Sequence, residues 1–138
     1  MREILFRGKS VNDYWIYGNL NFYPDINRTF IRKNNKELLP SFQTSLEEEV
    51  SKNTIGQYTG LTDKNGKKIF EGDIIKSCEY DDVYFVEYCA DDNYPAFDVV
   101  PEMNIECNGL SHLHIVEGIE VIGNIHDNPE LLKEREGE

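Results

Sequence analysis

Short runs in which apolar side chains recur at every second position constrain this chain more than any other feature. From Val83 to Cys89, Tyr84, Val86 and Tyr88 fall on one side and Val83, Phe85, Glu87 and Cys89 on the other, a period of two that a helix would not keep. Tyr14 to Leu20 repeats the pattern, with Tyr14, Ile16, Gly18 and Leu20 opposite Trp15, Tyr17 and Asn19. Further strand-like runs are Glu3 to Arg7, Thr29 to Arg32, Thr54 to Thr59, Ile74 to Glu79, Ala96 to Val100 and Ile119 to Ile125. Those after Gly72 are spaced like the strands of a small barrel. Asn65-Gly66 is the strongest hairpin signal. Two short helices are expected. Ser45 followed three residues later by Glu48 matches a capping box and predicts a helix over Ser45 to Val50, and Asn128 before Pro129 predicts a capped helix to about Lys133.

Charge narrows the function classes. The 138 residues carry 14 Lys and Arg against 26 Asp and Glu, a net charge of -12. Residues 1 to 76 hold 12 basic and 10 acidic side chains, and the remainder holds 2 and 16, so the halves carry +2 and −14. Between Lys76 and Lys133 there is no Lys or Arg. Such a surface repels phosphate, which disfavours direct nucleic-acid binding and anionic membranes. The excess acid keeps a small protein soluble, and Asp81, Asp82, Asp91, Asp92 and Asp98 form a candidate acidic interaction surface for a basic partner. The aromatic residues Trp15, Tyr17, Phe22 and Tyr23 lie near Arg28, Arg32 and Lys33 and give the alternative, a nucleic-acid-binding N-terminal half, although core packing accounts for most such side chains. Contact between the basic half of one copy and the acidic half of another would give a homo-oligomer.

Chemistry-bearing patterns are sparse. Asp63-Lys64-Asn65-Gly66 resembles part of a calcium loop, but Leu61 and Gly72 would then occupy its first and twelfth positions and neither ligates through a side chain. It reads as a turn. His112 and His114, two apart, would point the same way on an extended strand and could nucleate a metal-dependent hydrolase with Cys107 or Glu117, yet the tight cysteine pairs of structural zinc sites are missing. Cys78, Cys89 and Cys107 are odd in number and without C-x-x-C spacing, as in reduced cytosolic proteins. No phosphate-binding loop or nucleophile elbow occurs. The reading is a non-enzyme with no cofactor and no metal.

Three clusters together resemble one known family. They are Met1-Arg2-Glu3-Ile4-Leu5-Phe6-Arg7-Gly8; Ile55-Gly56-Gln57-Tyr58-Thr59-Gly60-Leu61-Thr62-Asp63-Lys64-Asn65-Gly66 running into Ile69-Phe70-Glu71-Gly72-Asp73-Ile74-Ile75; and Val121-Ile122-Gly123-Asn124-Ile125-His126-Asp127-Asn128-Pro129-Glu130-Leu131-Leu132. Their order and spacing resemble the YopX family of bacteriophage and prophage proteins, whose function is unassigned. The resemblance implies a phage or prophage origin, an intracellular location and a C-terminal domain similar to an SH3-like barrel that closes at Ile125; it carries no catalytic residue. The opening Met1-Arg2-Glu3-Ile4 lacks a signal peptide's apolar segment, and no apolar run is long enough to span a bilayer, which fits the host bacterial cytoplasm. The expected architecture is mainly β, α+β at its margins: a strand-rich unit over 1–60, the barrel with its short terminal helix over 61–132, and a frayed tail over 133–138. Gly56, Gly60, Gly66, Gly72, Gly123 and Pro129 are expected to shape turns and close approaches. The expected activity is that of an accessory binding module touching a host or phage protein.

Overall fold

In the computed structural model, which describes residues 3–33, 47–89, 96–103 and 108–132, the chain is mainly β. It divides into two compact units, Met1–Tyr58 and Thr59–Glu138. The first contains β1 (Phe6–Lys9), β2 (Trp15–Tyr23), β3 (Arg28–Arg32) and β4 (Glu47–Glu49), and β5 (Gly56–Thr62) runs from it into the second. The second continues with β6 (Lys68–Phe70), β7 (Asp73–Ser77), β8 (Val83–Cys89), β9 (Ala96–Val100), a helix α1 (Gly109–His112) prolonged by a π-helical turn (Leu113–Glu117), and β10 (Ile119–Asn124). Strand order is β4-β3-β2-β1-β5-β6 in one sheet and β10-β7-β8-β9 in the other. The strands thus form two antiparallel sheets, where the sequence suggested a closed SH3-like barrel. The expected tail over 133–138 lies outside the described residues.

In the first unit the alternation of β2 sorts its side chains. Ile16 packs with Ile31 and Val50 in a small core, to which Leu20 and Ile55 add. Residues 47–49 form a strand, whereas the sequence predicted a helix over Ser45 to Val50; Ser45 itself lies outside the described residues. Long-range partners override the local capping signal, because all three glutamates find donors on neighbouring segments. Glu47 accepts from Asn21 Nδ2 at 3.0 Å and from the Tyr23 hydroxyl at 2.7 Å, Glu49 takes both Arg28 Nε and Nη2 at 2.8 and 2.6 Å, and Glu48 accepts from the Tyr14 hydroxyl.

The second unit is built around β7, whose Ile74, Ile75 and Ser77 are all buried because it lies between β10 and β8. Ile75 packs with Ile69, Tyr84, Val86, Val99, Leu110, Leu113 and Ile119, each such burial contributing about 1.5–3 kcal/mol before entropy is subtracted. Tyr84 and Val86 face inward as their spacing predicts; Tyr88, last on that face, is exposed and meets Phe97 edge-on at 5.3 Å.

Polar side chains clamp the turns between these strands. Asp63, only 7% exposed, receives Asn65 N–H and Lys67 N–H on Oδ1, both at 2.9 Å, and Val121 N–H on Oδ2 at 3.0 Å. One carboxylate therefore shapes the β5–β6 turn and ties it to β10. Gly66 completes that turn at φ 82, where a side chain would be strained. Asp73 Oδ2 likewise accepts Phe70 N–H at 2.8 Å across the β6–β7 corner. Asn128 O accepts Leu131 N–H at 3.1 Å ahead of the helix, its Oδ1 turns back to accept Asn124 N–H at 3.2 Å, and Asn124 Oδ1 accepts the N–H groups of His126 and Asp127 at 3.0 and 2.9 Å. A Cβ on Gly123 would stand 2.5 Å from Asn128 Oδ1, so the glycine makes room for this knot. Residues 130–132 then take helical form beyond Pro129.

Burial raises the pKa of Asp63, but its three backbone N–H donors outweigh it and leave the net value below that of an ordinary aspartate. Because the folded value is the lower one, the stabilisation is complete above the unfolded pKa, about 3.9, and is lost as pH falls through the folded value. Asp63→Asn is expected to lose about 2 kcal/mol in urea unfolding at neutral pH, since an amide N–H₂ would face an N–H, and to lack this acid-dependent component. Gly123→Ala is expected to lose about 1–3 kcal/mol in the same assay, from overpacking against Asn128.

Candidate interaction surface

The turn between β7 and β8 is set by Ser77. Its fully buried hydroxyl accepts the N–H groups of Glu79 and Tyr80 at 3.3 and 3.2 Å and donates to Glu117 Oε1 at 2.6 Å. Ser77 N–H reaches Asp82 O at 2.8 Å and Asp81 N–H returns to Ser77 O at 3.0 Å. Asp81 takes φ 61, a left-handed conformation that aspartate tolerates better than most residues. Glu79, Tyr80, Asp81 and Asp82 are left exposed on this turn. Lys76 Nζ comes within 3.5 Å of Asp81, an exposed pair of little energetic weight. The charge and hydrogen bond of Glu79, then desolvation and the charge of Glu117, raise the Tyr80 pKa.

Against this turn lies the segment 108–118. Asn108 caps α1 by accepting Ser111 N–H at 2.9 Å, and its Nδ2 donates to Phe97 O on β9 at 2.9 Å. Asp98 Oδ1 accepts Val99 N–H at 2.8 Å and Leu110 N–H at 3.3 Å, so it satisfies one of the helix's open donors. Leu110 and Leu113 point into the core, and the π-helical turn closes with Gly118 N–H on Leu113 O at 2.8 Å. Glu117 completes the junction: its side chain is 7% exposed, one oxygen holds Ser77 and the other lies 3.1 Å from His112 Nε2. Cys78 N–H donates to Gly118 O at 2.9 Å. The turn leaves Ile115 and Val116 exposed by 77% and 62%.

Ser77, Glu117 and His112 do not make an activated nucleophile. The serine hydroxyl donates to the carboxylate and not to the imidazole, and it is sealed from solvent, so the trio is a structural bolt. His112 and His114 sit on helical backbone, where positions two apart diverge, unlike the strand on which they were expected to align. Among the described residues no three His, Cys, Asp or Glu side chains are placed to hold a metal ion. Cys78 is exposed and Cys89 half-buried, neither in a disulfide; Cys107 lies outside the described residues.

Of the carboxylates proposed as one surface, Asp81 and Asp82 stand together on the β7–β8 turn, Asp98 is half-buried against α1, and Asp91 and Asp92 lie outside the described residues. Among the turn residues, Gly60, Gly66 and Gly72 all have positive φ, whereas Gly56 pairs with Arg7 inside the ladder. In the first unit the register places Trp15, Tyr17 and Tyr23 on one sheet face with Arg7, Lys9, Arg28 and Arg32, while Phe22 falls on the other. Cations there are engaged: Arg7 lies 4.8 Å over the Trp15 ring, Lys9 is 3.2 Å from Asp13, and Arg28 grips Glu49. Ile115, Val116 and the Ser77–Glu117 junction escaped the sequence reading; consecutive apolar residues inside a polar stretch were the available signal.

The family described as YopX protein matches residues 5–133, and the chain belongs to it. The chain is also similar to a solved structure, the crystal structure of protein EF1440 from Enterococcus faecalis, with 27% identity over 96% of this chain and 99% of that one and a TM-score of 0.56. No curated protein matches. Among the described residues no helix is long and apolar enough to cross a membrane.

The two kinds of carboxylate should separate by thermal unfolding. Asp98→Ala is expected to cost about 1 kcal/mol through the lost bond to the helix start, whereas Asp81→Asn should stay within about 0.5 kcal/mol of wild type.

Proposed function

We propose that this protein is a phage- or prophage-type accessory protein of the bacterial cytoplasm that acts as a binding module, without bond-making chemistry, through the acidic surface of its second unit. The observation that carries this reading is the exposed turn bearing Glu79, Asp81 and Asp82 in a segment with no Lys or Arg between Lys76 and Lys133. Such a surface attracts a basic protein over a Debye length and repels nucleic acid and anionic lipid. A second reading, nucleic-acid binding by the first unit, draws on the shared face of Trp15, Tyr17 and Tyr23 with four cations. It is the weaker one, because Lys9 and Arg28 already hold carboxylates of their own unit.

The immobilised protein is expected to retain a basic host or phage protein from bacterial lysate at low salt. Retention should fall by about tenfold when Asp81, Asp82, Asp91 and Asp92 are changed to Asn, and should fall again as salt rises past about 0.15 M. Retention indifferent to both would refute the reading, and salt-sensitive retention on single-stranded DNA would favour the second.

A further inference from the structure

Scattered apolar residues on a surface need no explanation, but here three stand on two segments that are fastened together. Ile115 and Val116 crown the π-helical turn, and Tyr80, 64% exposed, rises from the β7–β8 turn. Ser77 to Glu117 at 2.6 Å and Cys78 to Gly118 at 2.9 Å join those turns, and Glu117 contributes to the electrostatics at the Tyr80 hydroxyl. The display is pre-organised, because both Glu117 oxygens are occupied and Leu113, four residues before it, is fully buried. On the turn that carries Tyr80, the carboxylates of Glu79, Asp81 and Asp82 are exposed, Asp81 with Lys76 Nζ at 3.5 Å. Apolar centre and charged rim are the anatomy of a protein–protein contact.

We propose that Ile115, Val116 and Tyr80 are an anchor that enters an apolar pocket on a second protein whose rim carries Lys or Arg, which pair with Glu79, Asp81 and Asp82. This rests on the functional reading above and assigns it a centre. Charge complementarity selects the occupant. An anionic bilayer and a nucleic acid are repelled by the same carboxylates. A second copy is a poor match, since each copy carries a net charge of -12 and two copies repel.

Site-specific photo-crosslinking in bacterial cells tests the anchor, with benzoylphenylalanine at position 115 of the full chain and, as control, at exposed position 26 of the first unit. The expected result is one adduct from position 115 to a protein of net positive charge, identified by mass spectrometry and absent from position 26. Its yield should drop by about tenfold in Val116→Ser and in Asp81→Asn/Asp82→Asn, both with the wild-type circular dichroism spectrum and melting temperature. Adducts only to the chain itself, to lipid or to nucleic acid would overturn the proposal, as would equal labelling from position 26 or no adduct at all. If position 115 fails while salt- and charge-sensitive retention from lysate persists, the anchor is wrong and the acidic reading stands; if retention also fails, both fall.

Discussion

The Asp63 carboxylate is the constraint on which the second unit depends. A β5–β6 turn and a strand nearly sixty residues later are held by one side chain whose oxygens accept three backbone N–H groups. Buried N–H groups without acceptors are costly, so a single acid removes several penalties at once. Asp73 at the next corner and the Asn124–Asn128 knot after β10 apply the same device. Asp63, Asp73, Asn124 and Asn128, all within the clusters that carry the family resemblance, are thus polar clamps, with Gly66 and Gly123 supplying the backbone freedom and the space they require.

This divides the acids into two populations with different consequences. Asp63, Asp73, Asp98 and Glu117 face inward onto backbone or side-chain donors and build the scaffold. Asp81, Asp82 and Glu79 face water on a turn that the scaffold holds still. Net charge therefore overstates the acid available for contact. In the first unit the balance is local: the glutamates of β4 meet Arg28, Asn21 and the Tyr14 and Tyr23 hydroxyls, so these acids find their donors within one unit.

The strands were largely legible because alternation survives in a half-buried sheet: Val83–Cys89 and Ala96–Val100 coincide with β8 and β9, and Asn65-Gly66 lies in the β5–β6 turn. What failed was information that is not local. The capping pattern at Ser45 could not reveal that Glu47 and Glu49 pair across to Arg32 and Phe30. The helix at Gly109 starts with Asn108 and continues through Leu110 and Leu113 at helical spacing, a signal masked by reading the two histidines as strand neighbours. Asn128 stands just before the helix as its residue type suggested, but the bond from Asn124 N–H to its side chain, in the space Gly123 leaves, had no local signature. Ile115 and Val116 are visible in the sequence as an apolar pair, but that they face water follows only once Leu113 has filled the core.

The inward-facing clamps and outward acidic turn of the second unit support the proposed binding role, because little order would remain to be imposed when a partner arrives. The most direct measurement is a carbon-13 NMR titration of the aspartate carboxyls in the folded protein. The account predicts that Asp63 titrates below the ordinary aspartate range, held ionised by Asn65, Lys67 and Val121. A value for Asp63 at or above that range would mean the carboxylate does not hold the turn to β10, and the scaffold described would be wrong.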